Sequence, residues 1–379
     1  MNFVAIQMLT GDRAKYLALI FAIAFSTFLM SHQVSIFFGL MNRTASQIDD
    51  VRDAPIWVMD AETQYLDETK ALTDQDLFRL RGVDGVDWAV PLFKGTSRAK
   101  AEDGKFRAVI LMGLDDATLV GGPRKLKLGS LEALRNPETI ALDETGYKFF
   151  FKNQPYELNK TLDLNDHTVR IAAIVDSSAP FVNLPVAYTR YSQAIQYVGQ
   201  ERNQMSFILA KGAAGLTDAE VCRRIEKSTG LKARTGEEFG WETIWYYISN
   251  TGIPINFGIT VIIALVVGTV VAGQTFYLFV IENLKQFGAL KAIGVTDSRI
   301  VGMILLQAAI VGAIGYSIGI AMTAAFFETT KDNLDLRGFR MLPEIMWGTA
   351  AAVVAIILLA SFVSVRRVVV LEPAVVFRG

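Results

Sequence analysis

Four uncharged apolar runs divide the chain, at residues 16–41, 253–281, 300–327 and 345–365, and none of them contains Lys, Arg, Asp or Glu. Each is at least as long as the roughly 20 residues that cross a ~30 Å hydrocarbon core. A charge at mid-span costs roughly 2.5–3.5 kcal/mol on insertion scales, so its absence from all four is informative. The pattern predicts four membrane-spanning helices. Residues 42–242 read differently. Short apolar runs at 56–59, 106–112, 139–142, 169–175, 184–188 and 206–209, mostly bounded by Gly, Pro, Asp or Asn, predict strands. Helical spacing at 74–80, 190–198 and 217–229 predicts three helices. The last carries a capping-box pattern, Thr217 with Glu220, and is closed by Gly230. This stretch is expected to be an α+β domain with its own core, and Gly104 and the turn Gly121-Gly122-Pro123 are candidate boundaries if it forms two lobes.

The first run is too long for a secretory signal and no small-x-small cleavage site follows it, so it is expected to be an uncleaved span. Basic residues then orient the chain. Arg13 and Lys15 precede the first span, Lys285, Lys291 and Arg299 lie between the second and third, and Arg366 and Arg367 follow the fourth. All three clusters belong inside, which makes both termini cytoplasmic and residues 42–242 and 328–344 extracytoplasmic. The second of these loops carries Lys331, Arg337 and Arg340, which weakens the bias. The expected order is a cytoplasmic amphipathic lead-in (1–15, with Phe3, Ile6 and Leu9 or Thr10 at helical spacing), a first span (16–41) and the external domain (42–242). A stalk with the second span (243–281), a cytoplasmic loop (282–299), a third span (300–327), a short external loop (328–344), a fourth span (345–365) and a cytoplasmic tail (366–379) complete it.

The loop between the second and third spans, ENLKQFGALKAIGVTDSRI, is short, charged and helical in its spacing. Period 3.6 puts Leu284, Phe287, Leu290 and Ile293 or Ala292 on one face, with Lys285 and Lys291 on the flanks. Gly294 supplies a left-handed stop, and Thr296 or Asp297 can cap the next helix. The expected result is a short amphipathic helix on the inner membrane surface. Two readings of it are open: a platform for a soluble partner, or an ordinary interfacial connector.

Other features of the spans each have a bland reading beside the sharp one. Ala308, Gly312, Gly315 and Gly319 lie along one face of the third span, which suits close packing either within the chain or at a dimer seam. His32 in the first span is an intramembrane ionisable group, and reach to an interface or a neighbouring helix explains it as well as function does. Trp241, Trp245, Tyr246 and Tyr247 fit an aromatic belt at the outer end of the second span, with Gly252 and Pro254 as a joint.

Composition narrows the chemistry. The chain of 379 residues is 51% hydrophobic and 20% charged with a formal net charge of −1, which gives no hint of nucleic acid. Cys222 is its single cysteine, so no intrachain disulfide can form. His32 and His167 are the only histidines, and no His, Cys and carboxylate cluster has metal-ligand spacing. The acidic pairs Asp49-Asp50, Asp115-Asp116 and Glu237-Glu238 read as solvated surface, because adjacent residues do not face each other. There is neither a G-x-S-x-G elbow nor a G-x-x-x-x-G-K-[ST] phosphate loop. The chain is expected to be no enzyme and to bind no metal or cofactor of its own.

One span, a large external domain, three more spans and the loop E-N-L-K-Q-F-G-A-L-K-A-I-G-V-T together resemble the FtsX/MacB-type permeases of ABC transporters. The ending, with Pro373, Ala374 and Arg378, is similar to that family's P-A-x-x-x-R tail. Lacking a fused ATPase, the chain looks closest to the stand-alone DevC-like branch. The resemblance implies a type VII ABC transporter permease: four transmembrane helices plus an α+β extracytoplasmic domain in a bacterial inner membrane. It implies two permease copies paired with two ATPase subunits that hold ATP and Mg. Leu284, Phe287, Gly288, Ala289, Leu290, Lys291, Ala292, Ile293 and Gly294 would form the coupling helix, with Phe287 and Leu290 filling a groove of the ATPase. Gly288 would permit close approach there, and Lys291 would make a peripheral polar contact. ATP-driven movement of the external domain, mechanotransmission, would then export a lipid-like or hydrophobic substrate with a membrane-fusion adaptor and an outer-membrane channel. An FtsX-like signal transmitter acting on an external partner is the alternative.

Overall fold

A computed structural model describes residues 2–11, 13–100, 104, 106–123, 125–152, 154–198, 205–331 and 333–369. Pro373, Ala374 and Arg378 therefore lie outside the described residues. In chain order the elements begin with helices α1 (Asn2–Gly11) and α2 (Arg13–Asp50), strand β1 (Ile56–Met59), α3 (Asp74–Arg81), β2 (Val86–Lys100), β3 (Phe106–Leu114) and β4 (Lys125–Gly129). There follow β5 (Thr139–Asp143), α4 (Glu144–Phe150), β6 (Thr161–Leu164), β7 (His167–Asp176), β8 (Val186–Arg190), α5 (Tyr191–Ala194) and β9 (Phe207–Gly212). The chain continues with α6 (Asp218–Thr229), β10 (Lys232–Thr235), α7 (Gly236–Asn250), α8 (Ile253–Glu282), α9 (Leu284–Ala292), α10 (Asp297–Thr330) and α11 (Pro343–Val369). They form two units, one helical (residues 1–39 and 252–379) and one built on a sheet (residues 40–251).

Among the described residues, α2, α8, α10 and α11 are long and apolar enough to cross a membrane. The helical unit is held by small residues. Gly315 and Gly319 of α10 lie against Ile23 and Thr27 of α2, and Gly312 lies against Ile357 of α11. Ala308 is buried as well. The small-residue face proposed as a possible dimer seam is thus occupied within the chain, because only glycine lets the helix backbones come this close. Ser31 and Thr323 hydroxyls bond across the same α2–α10 contact at 2.6 Å. His32 sits among Phe28, Phe326 and Phe327, with ring centroids 4.6–5.7 Å away. The N-terminal helix departs from expectation. Ala5 and Leu9, one turn apart, are buried, whereas Phe3 and Ile6 are exposed, so the apolar positions do not gather on one face. Residues 243–281 run through two helices that break at the joint placed at Gly252 and Pro254. Helix α7 ends at Asn250, Thr251 is extended, and α8 restarts with Pro254 in its first turn, where a missing N–H costs nothing.

The sheet unit is a single mixed sheet in the order β10-β1-β9-β2-β3-β8-β5-β7-β4, with β6 pairing β2 and β7. Neither Gly104 nor the Gly121 turn divides it into separate units. Strand β2, the longest, was not expected from sequence, because Pro91 and Gly95 interrupt its apolar pattern. It is tolerated because β2 changes partner next to Pro91: Leu92 pairs with Phe207 of β9, and Phe93 with Gly113 of β3. The helix expected over 190–198 is only the single turn α5. On one side of the sheet Trp57, Phe207 and Phe239 meet at centroid distances of 5.4–5.8 Å and tie β1, β9 and α7 together. Burying each such side chain contributes about 1.5–3 kcal/mol or more. Helix α6 is capped by Thr217, whose hydroxyl accepts from the Glu220 N–H, and ends at Gly230 in the left-handed region, φ +75°.

One surface cluster in this unit makes a pH prediction. Burial pushes the Glu144 carboxyl up, but hydrogen bonds from Lys127, Tyr156 and Lys148 outweigh it and hold the group at about 2, below the usual 4.5. Because the folded value is the lower one, the stabilisation is present above pH 4.5 and is lost as pH falls toward 2. Thermal unfolding of the full chain followed across that window should show a fall in stability that Glu144→Gln reduces. An identical acid profile for the variant would remove Glu144 from the account.

Candidate functional site

The connector between the second and third spans is capped at both ends. Helix α8 ends at Asn283, whose amide N–H donates to the Phe279 carbonyl at 3.2 Å while its side-chain Nδ2 donates to the same oxygen at 2.8 Å. The Asn283 carbonyl in turn accepts from the N–H groups of Gln286 and Phe287, both at 3.0 Å, and so opens α9. At the other end Gly294 takes φ +92°. Its N–H reaches the Lys291 carbonyl at 3.0 Å, and that of Val295 reaches Leu290, also at 3.0 Å. Those two bonds are a Schellman closure, and Val295 and Leu290 both pack on the core of the helical unit, as that motif favours. Thr296 then precedes α10 in extended conformation, with Asp297 in the first turn.

Which way α9 faces corrects the sequence reading. Phe287 is 0% exposed and belongs to the core of the helical unit with Leu9, Phe279, Ile300 and Ile304; Gly288 beside it is buried as well. Phe287 is therefore an internal wedge and not a knob for a partner, and Gly288 allows close packing inside the chain. Lys291 is also turned inward: its side chain is 9% exposed, forms an ion pair with Asp297 at 2.7 Å and donates to the Val369 carbonyl at 3.0 Å. That ties α9, α10 and the end of α11 together. Leu284 and Leu290 are half-buried.

The outward face consists of Lys285, Gln286, Ala289, Ala292, Ile293 and Gly294. Ile293 is 77% exposed. Gln286, Ala289, Leu290 and Ile293 line one side of a groove of about 780 Å³, and Val4, Gln7, Met8 and Gly11 of α1 line the other. Helix α1 is held there by Ala5 and Leu9 and by Gln307 of α10, whose Nε2 donates to the Ala5 carbonyl at 2.7 Å. Lys15 at the start of α2 pairs with Glu282 at the end of α8. Gln307 and the α1 side of the groove were not identified from sequence. A lone amide within an apolar span was the available signal for Gln307.

The groove mixes apolar walls (Val4, Met8, Leu290 and Ile293) with the amides Gln7, Asn283 and Gln286 and the Glu282 carboxylate, which suits docking of a complementary surface. Among the described residues, no group of three or more His, Cys, Asp or Glu side chains is placed to hold a metal ion.

Two family models match. The description "MacB-like periplasmic core domain" covers residues 17–228, and "FtsX-like permease C-terminal" covers residues 243–373, which include the whole connector. The chain belongs to the MacB/FtsX family of permeases. An uncharacterised ABC transporter permease of Mycobacterium tuberculosis is 26% identical to it over 268 residues, 68% of this chain and 66% of the relative. A second from the same species is 23% identical over 313 residues, 81% of this chain and 79% of the relative. Among solved structures, the periplasmic region of MacB from Actinobacillus actinomycetemcomitans aligns at 16% identity and TM-score 0.37, covering 54% of this chain and 98% of that one. The extracellular domain of YknZ from Gram-positive bacteria aligns at 14% identity and TM-score 0.34, covering 48% and 98%. Membership rests on the family models and not on these two. In this permease the connector is part of the FtsX-like region, and the sheet unit overlaps the MacB-like core domain.

Proposed function

We propose that the outward face of α9, with the groove it shares with α1, is the seat of a separate ABC ATPase. In this reading the connector lies on the cytoplasmic side of a bacterial inner membrane, both termini are cytoplasmic, and the sheet unit is periplasmic. ATP and Mg belong to the ATPase. Two permease copies move their periplasmic domains as the ATPase closes, which is mechanotransmission, and a membrane-fusion adaptor with an outer-membrane channel carries a hydrophobic substrate onward. The observation that carries the reading is the exposed Ile293 beside a groove with apolar walls, on a helix capped at both ends within the FtsX-like match. Buried Phe287 and paired Lys291 support the helix from behind, and Gln286, Ala289 and Ile293 make the contact.

The tagged chain solubilised from its native membranes in mild detergent should bring down an ABC ATPase, together with an adaptor. Ala289→Arg combined with Ile293→Asp should reduce recovery of that ATPase at least about tenfold, since a charge is driven into an apolar contact. The thermal midpoint of the isolated permease should stay unchanged, because both positions are exposed. Undiminished ATPase recovery by the double variant would sink this assignment of the face.

A further inference from the structure

The sheet unit contains a cleft that coupling at the connector does not use. Its volume is about 640 Å³, within the roughly 300–1,000 Å³ common for small-molecule sites. It opens where β2 passes from β9 to β3. At that point the Lys94 N–H donates to Ser206 Oγ at 3.0 Å, and the same hydroxyl donates to the Lys94 carbonyl at 3.0 Å. Phe93, Ile110, Phe181, Leu184, Met205 and Tyr247 supply apolar wall, and Val182 stands at the rim, 59% exposed.

Within this wall the Lys94 side chain is only 7% exposed. Asp67 Oδ1 is its ion-pair partner, and Asp67 Oδ2 accepts from the Tyr247 hydroxyl at 3.1 Å. Burial, with Asp67 adjacent, pushes the Tyr247 phenol up, so it stays protonated and donates. Both carboxylate oxygens are therefore engaged. The ammonium has three N–H donors, and among the described residues Asp67 is the acceptor it meets. A buried cation with donors left over is costly, and an oxygen anion entering the cleft relieves that cost. Of the cleft's two cations, Lys70 is paired with Glu62 at 2.7 Å at the rim, so the Lys94 ammonium is the donor that faces the apolar wall.

We propose that this cleft binds an anionic amphiphile, with the carboxylate or phosphate head received by Lys94 and the hydrocarbon body lying along Phe181, Leu184 and Met205. The site stands independently of ATPase coupling, so either reading can fail without the other.

The test uses the full chain in phosphatidylcholine nanodiscs, with empty discs as baseline, titrated calorimetrically with decanoate, decyl phosphate, decanol and decyltrimethylammonium. Saturable binding of decanoate or decyl phosphate is expected, with decanol at least about tenfold weaker, as loss of a charge-assisted hydrogen bond implies. The cation should not bind. Whichever anion binds more tightly identifies the head as carboxylate or phosphate. Lys94→Met with Asp67→Asn removes both charges and should bring the anion down to the level of decanol. Val182→Trp fills the mouth without disturbing the pair and should abolish binding with an unchanged thermal midpoint. Decanoate carrying a diazirine should crosslink to the peptides that hold Val182 and Met205. No saturable anion binding, equal binding by decanol, or undiminished binding by Val182→Trp would each overturn the site.

Discussion

Replacing Phe287 by alanine should unfold or loosen the helical unit, at a cost of about 3–5 kcal/mol, the range seen when a fully buried aromatic is truncated. The reason is position. Phe287 is 0% exposed and sits in the core shared by Leu9, Phe279, Ile300 and Ile304, so alanine leaves a hole that the three surrounding helices cannot close by moving one side chain. The measurement is the thermal midpoint and the monodisperse yield of the full chain in nanodiscs. Phe287→Leu, which keeps most of the volume, should recover much of the loss. A variant with a normal midpoint and reduced ATPase recovery would instead make Phe287 a docking residue and undo the inward orientation. The pairing with Ala289→Arg and Ile293→Asp matters, because those changes act on the opposite face and should leave the midpoint untouched.

A second large effect is expected from Gly319→Leu. A Cβ on Gly319 would stand 2.5 Å from the Cβ of Thr27 and 2.6 Å from the carbonyl oxygen of Ala24. The second atom is backbone and cannot swing away, so α2 and α10 must separate. Separation also pulls apart the Ser31–Thr323 hydrogen bond at 2.6 Å. Overpacking of side chains alone costs about 1–3 kcal/mol, and a backbone collision of this kind should cost about 3 kcal/mol or more. Gly302→Ala is the control, since nothing lies within 4 Å of the added carbon. It should be neutral or stabilising by up to about 1 kcal/mol through helix propensity. Equal midpoints for Gly319→Leu and Gly302→Ala would show that the α2–α10 contact is not held in this way.

The spans were legible because hydrocarbon imposes a length and excludes charge, two constraints that leave a plain trace in sequence. Gly294 was legible for a similar reason, since a left-handed closure needs glycine. Orientation was not. The periodicity of α9 puts Phe287 and Leu290 on one stripe, but an apolar stripe reads the same whether its neighbour is a second protein or the rest of the same chain. Long-range packing of α1 and α10 decides it, through Ala5, Leu9 and Gln307. Lys291 illustrates the same limit: a lysine reads as surface until Asp297 and the Val369 carbonyl are found around it. In the sheet unit β2 was hidden by Pro91 and Gly95, because local punctuation outweighs alternation when pairing partners are unknown. The cleft at Lys94 follows from that same change of partner and could not be read without it.

Asn283 belongs to two helices at once, finishing α8 and opening α9 with no residue between them, and Gly294 and Val295 close the far end just as tightly. A connector made this way leaves no free residue between the helices at its start. In a flexible loop, a push or pull is first absorbed by straightening the chain, and the work is dissipated as lost disorder before anything downstream moves. Here there is no slack to take up. If an ATPase seats on this face as proposed, a load at Ile293 would reach the roots of α8 and α10 without a tether to straighten first.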